Sequence, residues 1–253
     1  MPPPPLAVRE AIREKRFSNV WTRELNAVFA DVAPYYDRAN LVASLGLWNC
    51  FRDQFLSTIE LKPGYRVLDV CAGTNAIGIG LLEREPSLEV HAIDRSEAMQ
   101  RVGQERAREH GFHIESVLGD VHRLPFPDNH FDIVTLQFAS RHLKVRTVFS
   151  EIYRVLKPGA RFHHCDMLRP ANPLVETAYY TYLRFCLNFT ALVFNSGPAA
   201  LNCRKYFIDA LQMFYSPEEL STLLRELGYK QVRVSTVFAG MLAFHKASKT
   251  PAI

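Results

Sequence analysis

The stretch Val67–Asn75, V-L-D-V-C-A-G-T-N, is an apolar run that ends in an acid and a turn of small residues. The residues after it, A-I-G-I-G-L-L-E (Ala76–Glu83), read as a helix. A buried parallel strand that feeds a tight glycine turn and then a helix leaves backbone N–H groups at the helix start, beside a crevice. Doubly wound folds hold nucleotide-like cofactors in that crevice. One strand later, V-H-A-I-D (Val90–Asp94) ends in a second acid, placed to accept hydrogen bonds from ribose hydroxyls, with Arg95 directly behind it. The glycine turn says little alone; an acid about 20 residues downstream sharpens it.

Charge narrows the choice of cofactor. A dinucleotide site wants G-x-G-x-x-G, so that backbone can touch a pyrophosphate. Here the turn is Cys71-Ala72-Gly73-Thr74-Asn75, with one glycine and an extra acid, Asp69, just before it. An acid facing the cofactor repels a diphosphate and suits a cation. S-adenosylmethionine, with its sulfonium and ammonium groups, is therefore favoured over NAD.

Composition excludes several classes. The chain has 253 residues, long enough for one domain with decorations and a substantial core. It is 48% hydrophobic and 22% charged, as soluble globules are. Its net charge of +4 is spread without a basic stripe, so nothing argues for nucleic acid. Five cysteines (Cys50, Cys71, Cys165, Cys186, Cys203) and nine histidines show no metal-ligand spacing, so no metal is expected. The cysteines read as reduced thiols, and Met1 precedes four prolines rather than a secretory signal. The reading is of a cytoplasmic chain that touches a membrane at most peripherally. The nearest approach to a membrane span is Ala178–Phe194, interrupted by Arg184 and Asn188.

Residues 2–5 read as a polyproline-like leader and 6–60 as helical, broken around Pro34 and Gly46. From Arg66 the pattern alternates, with strands at 66–70, 89–94, 114–119, 131–138 and 160–167. Helices fall near 75–85, 96–110 and 146–156, the last stopped by Lys157-Pro158-Gly159. A helical insertion, 172–212, follows the fifth strand. Ser216-Pro217-Glu218-Glu219 opens another helix, ending near Gly228, before two strands (231–237 and 241–247) that form an antiparallel hairpin. These elements make one α/β doubly wound, mostly parallel sheet of seven strands, with N-terminal helices and the insertion as additions. We divide the chain into a leader with its first helix (1–27) and the sheet domain (28–253).

Several stretches resemble a known family. The layout is similar to class I S-adenosylmethionine-dependent methyltransferases, and more narrowly to the ubiquinone/menaquinone-biosynthesis C-methyltransferases. V-A-P-Y-Y-D-R-A-N (Val32–Asn40), L-P-F-P-D-N-H-F-D (Leu124–Asp132), R-V-L-K-P-G (Arg154–Gly159) and G-M-L-A-F-H-K-A-S-K (Gly240–Lys249) carry the likeness, which covers roughly 28–249. The departures are Asn75 in place of a glycine, Trp48-Asn49 in place of His-Arg, Arg141-His142 in place of Arg-Asn, and Cys165-Asp166-Met167-Leu168 on the fifth strand.

The resemblance implies roles. Gly73 and Thr74 would carry the methionine portion of the cofactor and Asp94 its ribose; the plain alternative for Asp94 is an N-cap for the helix after Ser96. Asp120 and Val121 would bracket adenine, and Gln137 matches a cofactor position at the mouth of the crevice. Arg141 would stabilise the phenolate of a hydroquinone acceptor, and His142 would take its proton. The plain alternatives are a salt bridge and a loop histidine. Asp166 would orient either group, its plain alternative being a strand-end acid paired with a nearby arginine. The aromatic insertion, with Trp48 and Phe51 opposite, would cover an isoprenoid tail or meet a membrane; a simple lid or a homodimer contact is the rival use. Two other functions stay open: methyl transfer to another aromatic or lipid acceptor, and a non-catalytic cofactor-binding scaffold, for which Asn75 is the best support.

Overall fold

The computed structural model describes residues 6–251, so the polyproline expectation for 2–5 lies outside the described residues. Seven strands form one sheet: β1 (Arg66–Val70), β2 (Glu89–Asp94), β3 (Glu115–Leu118), β4 (Phe131–Gln137), β5 (Leu156–Met167), β6 (Lys230–Val237) and β7 (Leu242–Ser248). Their order is β3-β2-β1-β4-β5-β7-β6, with β7 antiparallel to both neighbours and the other pairs parallel. The chain winds outward one way from β1 and then the other way from β4. The strand order therefore reverses between β1 and β4, where such sheets open a crevice at their carboxyl ends.

Alternation along the strands divides the core. Leu68, Val70, Val134 and Leu136 face one apolar cluster, whereas Val67, Ile133 and Ala92 face another on the opposite side of the sheet. The crossover helices α5 (Ala76–Arg84), α6 (Glu97–Glu109) and α7 (Val145–Val155) cover these faces. In α7 the buried residues Val145, Val148, Phe149 and Ile152 recur at helical spacing, which makes one apolar stripe. Ser96 caps α6, and Ser216 with Glu219 forms a capping box on α10 (Pro217–Glu226), as its sequence predicts. The fifth strand begins at Leu156, four residues earlier than expected. A bulge opposite Phe131–Ile133 takes up Pro158 and Gly159, and Gly159 sits at φ +79°.

The helices outside the sheet build the roof. N-terminal α1 (Leu6–Asn19), α2 (Leu25–Val32), α3 (Tyr36–Ala43) and α4 (Trp48–Ser57) precede β1, joined by a π-helical turn at Val20–Glu24 and a 3-10 turn at Ala33–Tyr35. The insertion is two helices, α8 (Pro173–Val193) and α9 (Pro198–Gln212). Phe17, Trp21 and Leu25 pack on Tyr206 and Ala210 of α9. Asp31 accepts from the backbone N–H groups of Ala199 (3.0 Å) and Ala200 (3.2 Å), satisfying donors at the start of α9.

Candidate active site

Two cavities meet above the carboxyl ends of β1 and β4. The smaller, about 100 Å³, is lined by the β1–α5 turn, Asp94 and Arg95, and the segment after β4. The larger, about 440 Å³, lies under α8 and α9 against α2, α3 and α4. Phe29, Tyr36, Trp48 and Phe138 line both and so form their common wall. Trp48 stacks on Phe138 with ring centroids 4.7 Å apart. Phe138 holds φ +55°, an uncommon angle for an aromatic residue, directly where the two cavities meet.

Local chemistry explains the smaller cavity. The Gly73 N–H donates to Asp94 Oδ2 (2.9 Å) and the Ser96 N–H to Asp94 Oδ1 (2.8 Å). Asp94 thus fixes the backbone of Ser96, the N-cap of α6, and ties β2 to the glycine turn, while its carboxylate still has lone pairs for hydroxyl donors. Burial pushes its carboxyl above the usual carboxylate range, against the pull of those N–H groups. Gly73 sits at φ +53°, where a Cβ would stand 3.2 Å from Met99 Cε. Asn75 takes the left-handed conformation (φ +56°, ψ +24°) that a glycine adopts freely and asparagine tolerates. The substitution at Asn75 therefore leaves the turn intact.

Asp69 is buried and accepts from Thr135 Oγ1 at 2.6 Å. Burial raises its pKa to about 7, the Thr135 bond opposing and the nearby Asp94 charge adding to the rise. Thr74 lines the cavity but gives its hydroxyl to Asp37 Oδ1 (3.2 Å), and Arg106 pairs with the other Asp37 oxygen. Gln137 also lines the cavity; its side chain contacts the buried Cys165 thiol, and its Nε2 has no other hydrogen-bond partner among the described residues. Arg95 reaches Asn26 through Nε at 2.6 Å. The donor set suits a cationic adenosyl cofactor. Three acids (Asp37, Asp69, Asp94) face one arginine, the Gln137 amide lines the wall, and a glycine keeps backbone accessible. A pyrophosphate would meet repulsion from the same acids.

Asp120 and Val121 do not line this cavity. Asp120 is exposed and bonds His122 through both the backbone N–H (3.0 Å) and Nδ1 (2.6 Å), and Val121 packs into the core. They stand just past Leu118, the β3 partner of Asp94, and so adjoin Asp94 across the sheet.

Arg141 and His142 occupy a 3-10 turn, Ser140–His142, and point to different cavities. Arg141 lines the large apolar one. Its Nη1 donates to Asp166 Oδ1 (2.8 Å) and to the Phe138 carbonyl (2.9 Å). Its Nη2 and Nε make no hydrogen bond among the described residues. Asp166 is fully buried and also accepts from the N–H groups of Ser140 (2.8 Å) and Met167 (2.7 Å) and from the Ser140 hydroxyl.

His142, expected to accept the phenolic proton, sits in a buried setting that keeps its ring neutral. His142 lines the smaller cavity and is buried. Burial, helped by the charges of Arg141 and Arg13, holds its imidazole well below the ordinary histidine range. Trp21 Nε1 donates to the Tyr206 hydroxyl (2.7 Å), which in turn lies 2.6 Å from His142 Nδ1. The ring is therefore neutral, with Nδ1 paired to the Tyr206 hydroxyl. Nε2 has no partner among the described residues.

Tyr36 and Asp37, both in the N-terminal signature, were not anticipated as site residues. Tyr36 lines both cavities, and burial raises its phenol pKa despite the nearby Arg141 charge. Their signal was the signature itself, which gives no indication of how far helix α3 reaches over the cofactor turn.

Comparisons with known proteins agree with this geometry. The chain is 32% identical over 228 residues to the demethylmenaquinone methyltransferase of Anoxybacillus flavithermus, covering 89% of this chain and 95% of that one. It is 30% identical over 231 residues to the ubiquinone/menaquinone biosynthesis C-methyltransferase UbiE of Cereibacter sphaeroides, covering 89% and 90%. Its fold matches that of the Haemonchus contortus phosphoethanolamine N-methyltransferase 2 in complex with S-adenosyl-L-methionine (TM-score 0.59, 17% identity, 81% of this chain and 53% of that one). It also matches a SAM-dependent methyltransferase of Aquifex aeolicus (TM-score 0.56, 22% identity, 78% and 88%). The expectation of an S-adenosylmethionine-dependent methyltransferase therefore holds. With residues 17–249 matching the family's profile and its relatives covered over most of their length, the chain belongs to the ubiE/COQ5 methyltransferase family.

Proposed function

We propose that the acceptor is a prenylated quinol of the menaquinone- or ubiquinone-precursor type, methylated at a ring carbon. The observation that carries this is Arg141. Its guanidinium stands on the wall of a 440 Å³ apolar cavity, bonded to the carbonyl of Phe138, a residue of the wall shared with the cofactor cavity. That volume falls in the range of small-molecule sites, roughly 300–1,000 Å³.

The chemistry follows from the side chains. When bound, S-adenosylmethionine supplies an electrophilic methyl group on sulfur. Asp94 is assigned to its ribose, Gly73, Thr74, Asp69 and Gln137 to its methionine end, with Arg95 beside them, and Asp120 and Val121 to adenine. In the larger cavity the free N–H groups of Arg141 stabilise the acceptor phenolate, which raises electron density on the ring carbon that is to be alkylated. A single positioned donor of this kind is worth about 2.7–4 kcal/mol of barrier. Asp166 fixes the guanidinium. His142 lies neutral at the edge of the cofactor cavity; the phenolic proton, and the ring-carbon proton given up once the new carbon–carbon bond has formed, both leave to water. Trp48, Phe138 and Tyr36 exclude bulk solvent and set the ring against the methyl group. The isoprenoid tail lies along α8 and α9, and the enzyme meets its acceptor by peripheral contact with a membrane. No described helix is long and apolar enough to cross one.

The test is incubation with methyl-labelled cofactor and reduced demethylated menaquinone and ubiquinone precursors. Label on a ring carbon of an organic-soluble product is the expected result. Label on oxygen, or tight cofactor binding without transfer, would overturn it.

A further inference from the structure

Helix α8 presents two surfaces that methyl transfer does not use. At 3.6 residues per turn, Tyr182, Cys186 and Thr190 face the large cavity. Phe185, Phe189 and Leu192 come next around the helix on its outer side. They are 64%, 44% and 81% exposed, and the two phenylalanine rings stack at 5.8 Å. Beyond Ala43, whose carbonyl accepts from the Tyr182 hydroxyl, Leu45 is 78% exposed and lines the same cavity. The mouth of the cavity therefore carries a contiguous apolar rim, which soluble surfaces rarely display without a use.

The second surface adjoins the first. A depression of about 280 Å³ between α8 and α9 is lined by Arg184, Arg204, Lys205, Asn188 and Asp209. Asp209, its one acid, pairs with Arg16. Arg204 is steadied by Asn188 Oδ1 (2.6 Å). Arg184 and Lys205 make no ion pair among the described residues. Cationic charge without a protein counter-ion, beside exposed aromatic rings, is the pattern of a surface that meets anionic lipid.

We propose that this face docks the enzyme on an anionic phospholipid bilayer, with Phe185, Phe189 and Leu192 entering the interface and the Arg184–Lys205 depression taking a headgroup phosphate. This rests on the reading that the acceptor is a membrane lipid. It adds which face meets the membrane and which lipid charge is recognised. Seating this face on the bilayer puts the cavity mouth where a prenyl tail can pass in without crossing water.

The experiment is co-sedimentation of the full chain with phosphatidylglycerol/phosphatidylcholine vesicles and with pure phosphatidylcholine vesicles, at low and high salt. The wild type is expected to sediment with the anionic vesicles and to be released by salt. The double variant R184E/K205E is expected to lose binding by at least about tenfold, given the contribution of each basic residue near a charged leaflet. F185S/F189S should weaken binding to both vesicle types. Both variants should keep wild-type melting temperature and turnover of a short-tailed, detergent-soluble quinol. Equal binding to the two vesicle types, or full binding by R184E/K205E, would overturn the proposal. So would tight binding of inorganic phosphate in the depression without vesicle binding. Turnover of the soluble quinol without vesicle binding sinks the docking surface alone; vesicle binding without turnover of any quinol sinks the acceptor reading alone.

Discussion

Arg141 donates to Asp166 Oδ1 at 2.8 Å, and the aspartate is wholly buried whereas the arginine side chain remains 13% exposed on the cavity side. The pair is thus asymmetric: one partner is committed to structure and the other looks into the larger cavity. Arg141→Ala should lower kcat about 100- to 1,000-fold while leaving cofactor affinity unchanged. Asp166→Asn strands a cation and disturbs the Ser140 donors, and should cost about 3–5 kcal/mol of stability, read by thermal or denaturant unfolding. Wild-type turnover in Arg141→Ala would remove the central assignment.

The guanidinium of Arg13, fully buried, donates to the carbonyls of Leu143 (2.9 Å) and Arg141 (3.3 Å) and lies over the rings of Trp21 and Phe214. It clamps the turn that carries Arg141 and His142, from a helix that begins before the family match at residue 17. Arg13→Gln should cost about 1–3 kcal/mol for each carbonyl left unsatisfied, and should reduce kcat for the quinol more than cofactor affinity. Stopped turnover with unchanged stability, or the reverse, would show that the clamp and the turn are not coupled.

Cofactor binding should depend on pH through Asp69. Its folded pKa, about 7, lies above the ordinary carboxyl value, so the carboxylate is ionised only as pH rises through neutrality. A cationic ligand prefers the ionised form, so affinity should tighten by about tenfold between pH 6 and pH 8. In the ligand-free chain the sign reverses: the stability Asp69 contributes is full below its unfolded pKa and is lost as pH rises through about 7. Calorimetric titration of wild type and Asp69→Asn checks this. An equal slope in the two would refute it.

His245 is buried at the β7 centre, faces the Pro217 carbonyl at 3.0 Å, and has its pKa pushed down to about 4 by burial. A depressed histidine contributes stability above its unfolded pKa and loses it as pH falls. At pH 5 the loss from His245 alone should be about 2 kcal/mol. His245→Gln should flatten the fall in melting temperature between pH 7 and pH 5; an unchanged slope would place the acid sensitivity elsewhere.

What the linear chain determined is what local periodicity and turn chemistry can carry. The buried runs at 66–70, 89–94 and 131–137, the caps at Ser96 and Ser216, and the acid at Asp94 lie within one element or one turn. The doubly wound sheet follows from them, because parallel strands with helical crossovers have few other ways to pack. The tertiary structure alone decided which cavity each neighbour in Arg141-His142 faces, since a 3-10 turn sends adjacent side chains apart. It alone joined Trp21, Tyr206 and His142 into one hydrogen-bonded row, from residues 185 and 64 positions apart. The protonation of His142 depends on that row and on burial. Both are properties of packing between distant segments, which no local pattern encodes.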